Sequence, residues 1–180
     1  MPEAGPQQDG RDATHRPDPS PGVDAVVRSA GVLLYRVTDD DTMEVLVAHM
    51  GGPFWAKKDA GAWTIPKGEH TDDEDPFAVA LREFEEELGQ PPPVTPDLDL
   101  GEVRQRSGKR LRVWAGQGDC DVSTITSNTF EMEWPKGSGQ LRTFPEIDRA
   151  EWMPVSLART KLVQGQAPFL DRLLDARRHW

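Results

Sequence analysis

The sequence predicts an α/β or α+β sandwich, in which helices flank a β-sheet. Short apolar, β-branched segments recur on both sides of one amphipathic helix, and a second helical pattern closes the chain. Elements in this order favour a layered fold, because helices cover the apolar faces of a sheet. A length of 180 residues suits one such domain with a tail.

The N-terminal segment, residues 1–25, is rich in proline and glycine and is predicted to be a disordered tail, because it has too little apolar content to offset its ordering entropy. Residues 26–180 form the predicted domain. No apolar run follows Met1, and no segment approaches the roughly 18 apolar residues of a membrane span. The single cysteine, Cys120, excludes an internal disulfide. We therefore expect a cytoplasmic protein without a membrane partner.

The first half of the domain begins with a predicted hairpin. Residues 30–37 and 44–49 are apolar and β-branched, and the polar segment 38–42 between them is typical of a turn. Residues 51–62 form a predicted loop, and a short strand follows at residues 63–65.

A central helix is predicted from Pro76, with Asp75 as its N-cap and Gly89 just past its C-terminal end. Apolar residues recur along one face at helical spacing: Phe77, Ala80, Leu81, Phe84 and Leu88. The second half is expected to contain strands at 98–106, 109–115, 129–134 and 150–155, loops at 116–128 and 135–148, and helices at 156–163 and 168–178.

The net charge of −10 argues against binding of extended nucleic acid or of an anionic membrane surface. Most of this charge is local, because residues 69–87 contain nine acidic residues and one basic residue. Within that stretch, Glu83, Glu86 and Glu87 are spaced i, i+3, i+4, on one helix face, where like charges repel. A divalent cation such as Mg²⁺ would reverse the sign of that interaction. The alternative is an ordinary solvated acidic face.

A motif in this region favours a metal site over a solvated acidic face. Its seven fixed positions are Gly68, Glu74, Arg82, Glu83, Glu86, Glu87 and Gly89, and the spacing resembles the Nudix box. One position departs, since Gln90 stands where the pattern has an apolar residue. The wider layout resembles the Nudix fold over about residues 28–178, which implies a Nudix-type mixed β-sheet sandwiched between α-helices.

The resemblance also implies a chemistry. Nudix hydrolases cleave nucleoside diphosphates linked to another group, with Mg²⁺ or Mn²⁺. The metal ligands it implies are the glutamates Glu83, Glu86 and Glu87 and a backbone carbonyl near Gly68. The residues it implies for support of the site are Arg82, Glu74 and Gly89.

The general base is left open by the resemblance. It is a box glutamate, here Glu83 or Glu86, in some relatives and a glutamate of a later loop in others. Of the later candidates Glu131, Glu133 and Glu146, we favour Glu146 because it precedes a predicted strand. An ordinary exposed acid is the alternative.

Substrate contacts are predicted around Trp63-Thr-Ile-Pro-Lys-Gly68, which is similar to the entrance of diadenosine polyphosphate hydrolases. The lysines Lys67, Lys57 and Lys58 are candidates for phosphate binding, and Trp55 or Trp114 for stacking on a base. Solvated lysines and core tryptophans are the alternatives.

The predicted substrate is a nucleoside triphosphate or a dinucleoside polyphosphate. The alternatives are ADP-ribose-type nucleotide sugars, nucleotide sensing without cleavage, and RNA 5′ ends bound along a basic strip. That strip would comprise Arg104, Arg106, Lys109, Arg110 and Arg112. Dimers are common in folds of this kind, so a homodimer is a further expectation.

Overall fold

The structure is a computed structural model that describes residues 26–178, so the predicted tail at 1–25 lies outside the described residues. The strands are β1 (Arg28–Val37), β2 (Met43–Met50), β3 (Trp63–Thr64), β4 (Lys67–His70), β5 (Leu98–Arg104), β6 (Arg110–Gln117), β7 (Thr129–Glu133), β8 (Leu141–Pro145) and β9 (Ile147–Pro154). The helices are α1 (Pro76–Leu88), α2 (Val155–Lys161) and α3 (Ala167–Arg178), with short 3-10 turns at Val122–Thr124 and Gln164–Gln166.

Seven strands form one mixed sheet. Its main order is β3-β2-β1-β6-β5, with β4 paired to β1 and β9 paired to β2. The predicted hairpin of β1 and β2 is confirmed as an antiparallel pair, whereas β1 and β6 run parallel. Val32, Leu33 and Leu34 are all fully buried, because both faces of β1 are covered. This explains why the strand is apolar without alternation.

Helices cover both faces of this sheet, as the sequence predicts. On one face, the apolar side of α1 packs against β1, β2 and β9 through four buried residues, Val79, Ala80, Phe84 and Leu88. On the other face lie α2 and α3, with the buried residues Ala158, Phe169, Leu170 and Leu173. None of the helices in the described part of the chain has the length and apolar character needed to span a membrane.

Helix α1 has the predicted ends. The Asp75 carboxylate accepts a hydrogen bond from the Phe77 amide at 3.3 Å, and Gly89 follows the last turn with φ of 76°. A Cβ atom at Gly89 would lie 2.7 Å from the carbonyl oxygen of Thr126. Glycine is therefore required at this position both by backbone conformation and by the close approach of a second segment.

Two strands were not predicted. Strand β4 falls where the sequence shows only a polar connection to α1, and it pairs antiparallel with residues 28–31 of β1. Strand β8 falls within 135–148, where the prediction of a loop was wrong, and it forms a separate two-stranded sheet with β7. Strand β4 is polar, and β8 has only two large apolar side chains, Leu141 and Phe144, on a largely exposed strand, so neither shows an apolar alternation in the sequence.

Candidate active site

A cavity of about 670 Å³ is lined by residues of β4 and α1 and by Glu146, which directly precedes β9. Most of the predicted site residues line it: Glu83, Glu86, Glu87, Gly68, Lys67, Trp55 and Glu146. These residues come from four separate parts of the sequence. The fold therefore brings the box and the later glutamate to one place.

Glu87 is the most buried of the box glutamates, with 5% of its surface exposed. Its Oε2 accepts a hydrogen bond from the backbone amide of Lys67 at 3.2 Å. Burial raises the pKa of Glu87 to about 8, although the Lys67 charge and this hydrogen bond oppose the shift. A charged carboxylate in this position lacks full compensation from the protein, and a cation would supply it.

Glu83 lies directly against the backbone of β4. A Cβ atom at Gly68 would be 2.0 Å from Glu83 Cδ, so only glycine allows this approach. Burial raises the pKa of Glu83, and the negative charge of Glu86 raises it further. The close approach of Glu83 thus explains why the box has glycine at position 68, which the spacing of the motif alone does not reveal.

Arg82 links the exposed side of the site to its loop. Its Nη1 donates to Glu74 Oε2 at 3.2 Å, while Glu83 and Glu86 lie 3.7 and 3.8 Å from its Nη2 and Nε. The other oxygen of Glu74 accepts from the Thr71 amide at 3.0 Å. Arg82 therefore connects two box glutamates to the loop before α1, which is the geometry of a supporting residue.

Glu146 is held against α1 by the backbone of Asn128. The Glu146 amide donates to the Asn128 carbonyl at 2.9 Å, and the Asn128 amide donates to the Glu86 carbonyl at 2.8 Å. On its other side, the Glu146 carbonyl accepts from the Gly51 amide at 2.7 Å. Sequence reasoning missed Asn128, because a role carried by backbone groups leaves no side-chain signal.

Gln166 is a second residue that sequence reasoning missed. Its side chain is buried, its Oε1 accepts from the Ile65 amide at 2.7 Å, and its Nε2 donates to Thr64 Oγ1 at 2.9 Å. It lines the cavity and holds the short strand that leads into Lys67 and Gly68. No motif marks it, since its partners lie about a hundred residues away in the sequence.

The predicted substrate residues divide into two groups. Trp55 and Lys67 line the cavity, whereas Lys57 and Lys58 are not among its lining residues. The Lys58 ammonium lies 3.3 Å from the centroid of the Phe54 ring. Trp114 packs edge-on against Phe77 on α1, with ring centroids 5.3 Å apart, and also lies outside the cavity lining.

The donor set suits a hard divalent cation, because four carboxylates, Glu83, Glu86, Glu87 and Glu146, line the same cavity. Within residues 26–178, no three His, Cys, Asp or Glu side chains already stand in an arrangement that could hold a metal ion. Like-charged carboxylates repel each other, and without a metal only the Arg82 guanidinium, 3.7 and 3.8 Å from Glu83 and Glu86, offsets part of that repulsion. The residues present therefore fit a metal by the type of their donor atoms.

The model of the NUDIX domain matches residues 27–173, so the chain belongs to the Nudix family. This family, with all seven fixed positions of the box present, makes it a Nudix hydrolase, in the class of enzymes that act on phosphoanhydrides. No curated protein sequence matches the chain.

Solved structures share the fold at low sequence identity. One is an Ap4A hydrolase of C. elegans in a binary complex, with 18% identity, 84% of this chain and 99% of that chain covered, and a TM-score of 0.59. A second is the NUDIX domain of Shewanella oneidensis NrtR complexed with ADP ribose, with 15% identity, coverages of 85% and 89%, and a TM-score of 0.57. A third is a MutT protein of Methanosarcina mazei Go1, with 17% identity, coverages of 85% and 96%, and a TM-score of 0.55.

Proposed function

We propose that this protein is a Mg²⁺- or Mn²⁺-dependent pyrophosphohydrolase that cleaves a phosphoanhydride bond of a nucleoside triphosphate or a dinucleoside polyphosphate. The observation that carries the proposal is the convergence of Glu83, Glu86, Glu87 and Glu146 on one cavity that also contains Lys67. A metal-dependent site for an anionic substrate needs carboxylates that bind the metal and a cationic side chain that binds phosphate.

The metal would be held by Glu83, Glu86 and Glu87, with the backbone carbonyl of Gly68 as a further ligand. When bound, such ions neutralise phosphate oxygens and lower the pKa of bound water. The burial of Glu87 and the repulsion between Glu83 and Glu86 are costs that divalent charge would offset.

Glu146 is our candidate for the residue that orients the attacking water and accepts its proton. It belongs to a different segment from the metal ligands, and Arg82 does not pair with it. Hydrogen bonds to Asn128 and Gly51 hold its backbone on both sides, and the residue lines the cavity, which supports this role. Lys67 would contact phosphate, and Trp55 would stack on the base.

The test is a substrate panel with Mg²⁺, containing nucleoside triphosphates, dinucleoside polyphosphates, ADP-ribose and 5′-triphosphorylated RNA. Glu86→Gln should lower kcat about 100-fold and raise the metal concentration required. Glu146→Gln should lower kcat by about 10²-fold at an unchanged metal requirement, because it removes the base alone. Glu85→Gln is the matched control, since Glu85 is exposed on the same helix and does not line the cavity.

Two outcomes would overturn the proposal. The first is an absence of turnover on every substrate of the panel with nucleotide binding retained, which would indicate a nucleotide sensor. The second is undiminished turnover by Glu86→Gln, which would make the metal assignment wrong.

A further inference from the structure

We infer that Ser127 is a positioning residue for Glu146, because its hydroxyl group holds the backbone from which the candidate general base projects toward the box glutamates. This inference rests on the proposed function and adds a residue on which the same site depends. Ser127 lies outside the Nudix box, between the 3-10 turn at Val122–Thr124 and strand β7.

The Ser127 hydroxyl bridges the two ends of the β7–β8 hairpin. Its Oγ accepts a hydrogen bond from the Ile147 amide at 3.0 Å and donates one to the Asn128 carbonyl at 2.8 Å. The same Asn128 carbonyl accepts from the Glu146 amide at 2.9 Å. The consecutive residues Glu146 and Ile147 are thus both tied to the segment 127–128.

The bond to Ile147 satisfies a backbone donor at the start of β9. The Ile147 residue is only 4% exposed, and it pairs with Met50 just beyond an irregularity in the β2–β9 ladder. An unsatisfied buried amide costs about 1 to 3 kcal/mol. If the hydroxyl were removed, the backbone next to Glu146 would therefore move toward another partner.

The hairpin itself gives Glu146 little support. Strands β7 and β8 form a two-stranded sheet separate from the main sheet, and Glu146 directly follows β8. A hairpin of two strands is only marginally stable alone, so its base needs other contacts. Pro145, the last residue of β8, has no amide hydrogen to donate. The bonds from Asn128 and Ser127 hold the base of the hairpin at this point.

The segment that holds Glu146 is also joined to the helix of the box. The Asn128 amide donates to the Glu86 carbonyl at 2.8 Å, and the Thr126 amide donates to the Leu88 carbonyl at 3.2 Å. Carbonyls in the last turn of a helix have no partner within the helix. Residues 126–128 therefore connect the C-terminal end of α1 to the Glu146 backbone.

The Glu146 carboxylate lies within electrostatic range of the charged groups of the cavity. Burial raises the pKa of the Glu146 carboxyl, the positive charge of Lys67 lowers it, and the negative charge of Glu86 raises it. The Glu146 charge in turn raises the pKa of Glu83 and of Glu87. A general base must come within about 3 Å of the proton it accepts, so a small displacement of this carboxylate would slow the reaction.

The test compares Ser127→Ala with Ser127→Thr, which retains a hydroxyl, and with Ser127→Cys, which has a weak acceptor. Ser123→Ala is the matched control, because it removes an exposed hydroxyl between β6 and β7 whose partner is Asp121. Each variant is made in the wild type and in Glu146→Gln. Steady-state kinetics with Mg²⁺ use the substrate of the panel that the wild type turns over fastest.

Ser127→Ala should lower kcat about tenfold, with KM and the Mg²⁺ concentration for half-maximal activity within about twofold, because the box is untouched. Ser127→Thr should keep kcat within about threefold of the wild type. Ser127→Cys should fall between them, and it replaces Ser127→Ala in the comparison if the alanine variant does not fold. In Glu146→Gln, Ser127→Ala should lower kcat less than about twofold, since the carboxylate it positions is already lost. Ser123→Ala should change none of these quantities.

The inference is overturned if Ser127→Ala is fully active while Glu146→Gln is impaired, or if Ser127→Ala lowers kcat equally in both backgrounds. A rise of KM or of the Mg²⁺ requirement that matches the fall in kcat would also overturn it. Hydrogen exchange separates this inference from the proposed function, which fails if the wild type turns over nothing. Ser127 still positions Glu146 if Ser127→Ala speeds exchange of the Glu146 and Ile147 amides at least about tenfold at an unchanged free energy of unfolding. Unchanged exchange of both amides would refute the role of Ser127.

Discussion

Gly68 and Glu83 approach so closely that no side chain fits between them. A Cβ atom on Gly68 would lie 2.0 Å from Glu83 Cδ and 2.3 Å from its Oε2. The backbone of β4 at Gly68 therefore lies directly against the Glu83 carboxylate of α1, at the position where the metal is proposed to bind. The glycine sets where a carboxylate lies, in addition to giving the backbone freedom.

Gly68→Ala should inactivate the enzyme with little loss of fold. The new methyl group displaces the Glu83 carboxylate, so we expect kcat to fall about 100-fold, while overpacking lowers the free energy of unfolding by about 1 to 3 kcal/mol. Gly61→Ala is the control, because a Cβ there meets no atom within 4 Å and costs only backbone strain at φ of 73°. Kinetics and urea denaturation measure both. Full activity in Gly68→Ala would contradict the steric argument.

Glu87→Gln should separate stability from activity. The amide has the same shape and can accept the hydrogen bond from the Lys67 amide, but it carries no charge to desolvate. We expect kcat with Mg²⁺ to fall by about 10-fold to 100-fold. In EDTA, the free energy of unfolding should equal or exceed that of the wild type. Glu85→Gln, on an exposed position of the same helix, should change neither quantity. If Glu87→Gln lowered the free energy of unfolding in EDTA, burial of the Glu87 carboxylate would not have the energetic cost that we infer.

His49 should prove to be a positioning residue for the Glu146 segment. It is fully buried, its Nδ1 lies 2.8 Å from Asp148 Oδ1, and its Nε2 donates to the Lys58 carbonyl at 2.7 Å. His49→Gln cannot satisfy both partners, so we expect a loss of about 2 kcal/mol in the free energy of unfolding. Because Asp148 is two residues from Glu146, kcat should fall more than KM rises.

Asp148→Asn provides the comparison for His49, since its amide oxygen still accepts a hydrogen bond at the same place. It should lose less stability and less kcat than His49→Gln. If the two variants were equally and fully active, His49 would have only a packing role.

Trp55 and Trp114 should differ in their effect on substrate binding. Trp55 lines the cavity, whereas Trp114 packs on Phe77 beside α1. Loss of base stacking is worth about 1 to 3 kcal/mol, so Trp55→Ala should raise KM for ATP about tenfold. Trp55→Phe should restore part of the lost affinity for ATP, because phenylalanine can still stack on the base. Trp114→Ala should lower the melting temperature and leave KM for ATP within about twofold. A larger rise in KM for this variant would show that the base binds elsewhere.

Local patterns were sufficient for much of the fold. The limits of α1 could be predicted because Asp75, Pro76 and Gly89 act on the backbone next to them. The β1–β2 hairpin could be predicted because its strands are buried and its turn is short. Strands β4 and β8 could not be predicted, because each is short, lacks an alternation of apolar and polar residues, and depends on its pairing partner for its conformation.

The sequence by itself determined the family and the acidic face of α1, since the box residues lie within 22 positions and their spacing places them on one helix and its preceding loop. Only the tertiary structure decided which of those glutamates is buried, that Glu146 joins them through Asn128, and that Lys57 and Lys58 do not line the cavity. The physical reason is that periodicity fixes directions around one helix axis. Burial, and contact between distant segments, depend on what the rest of the chain packs against that axis.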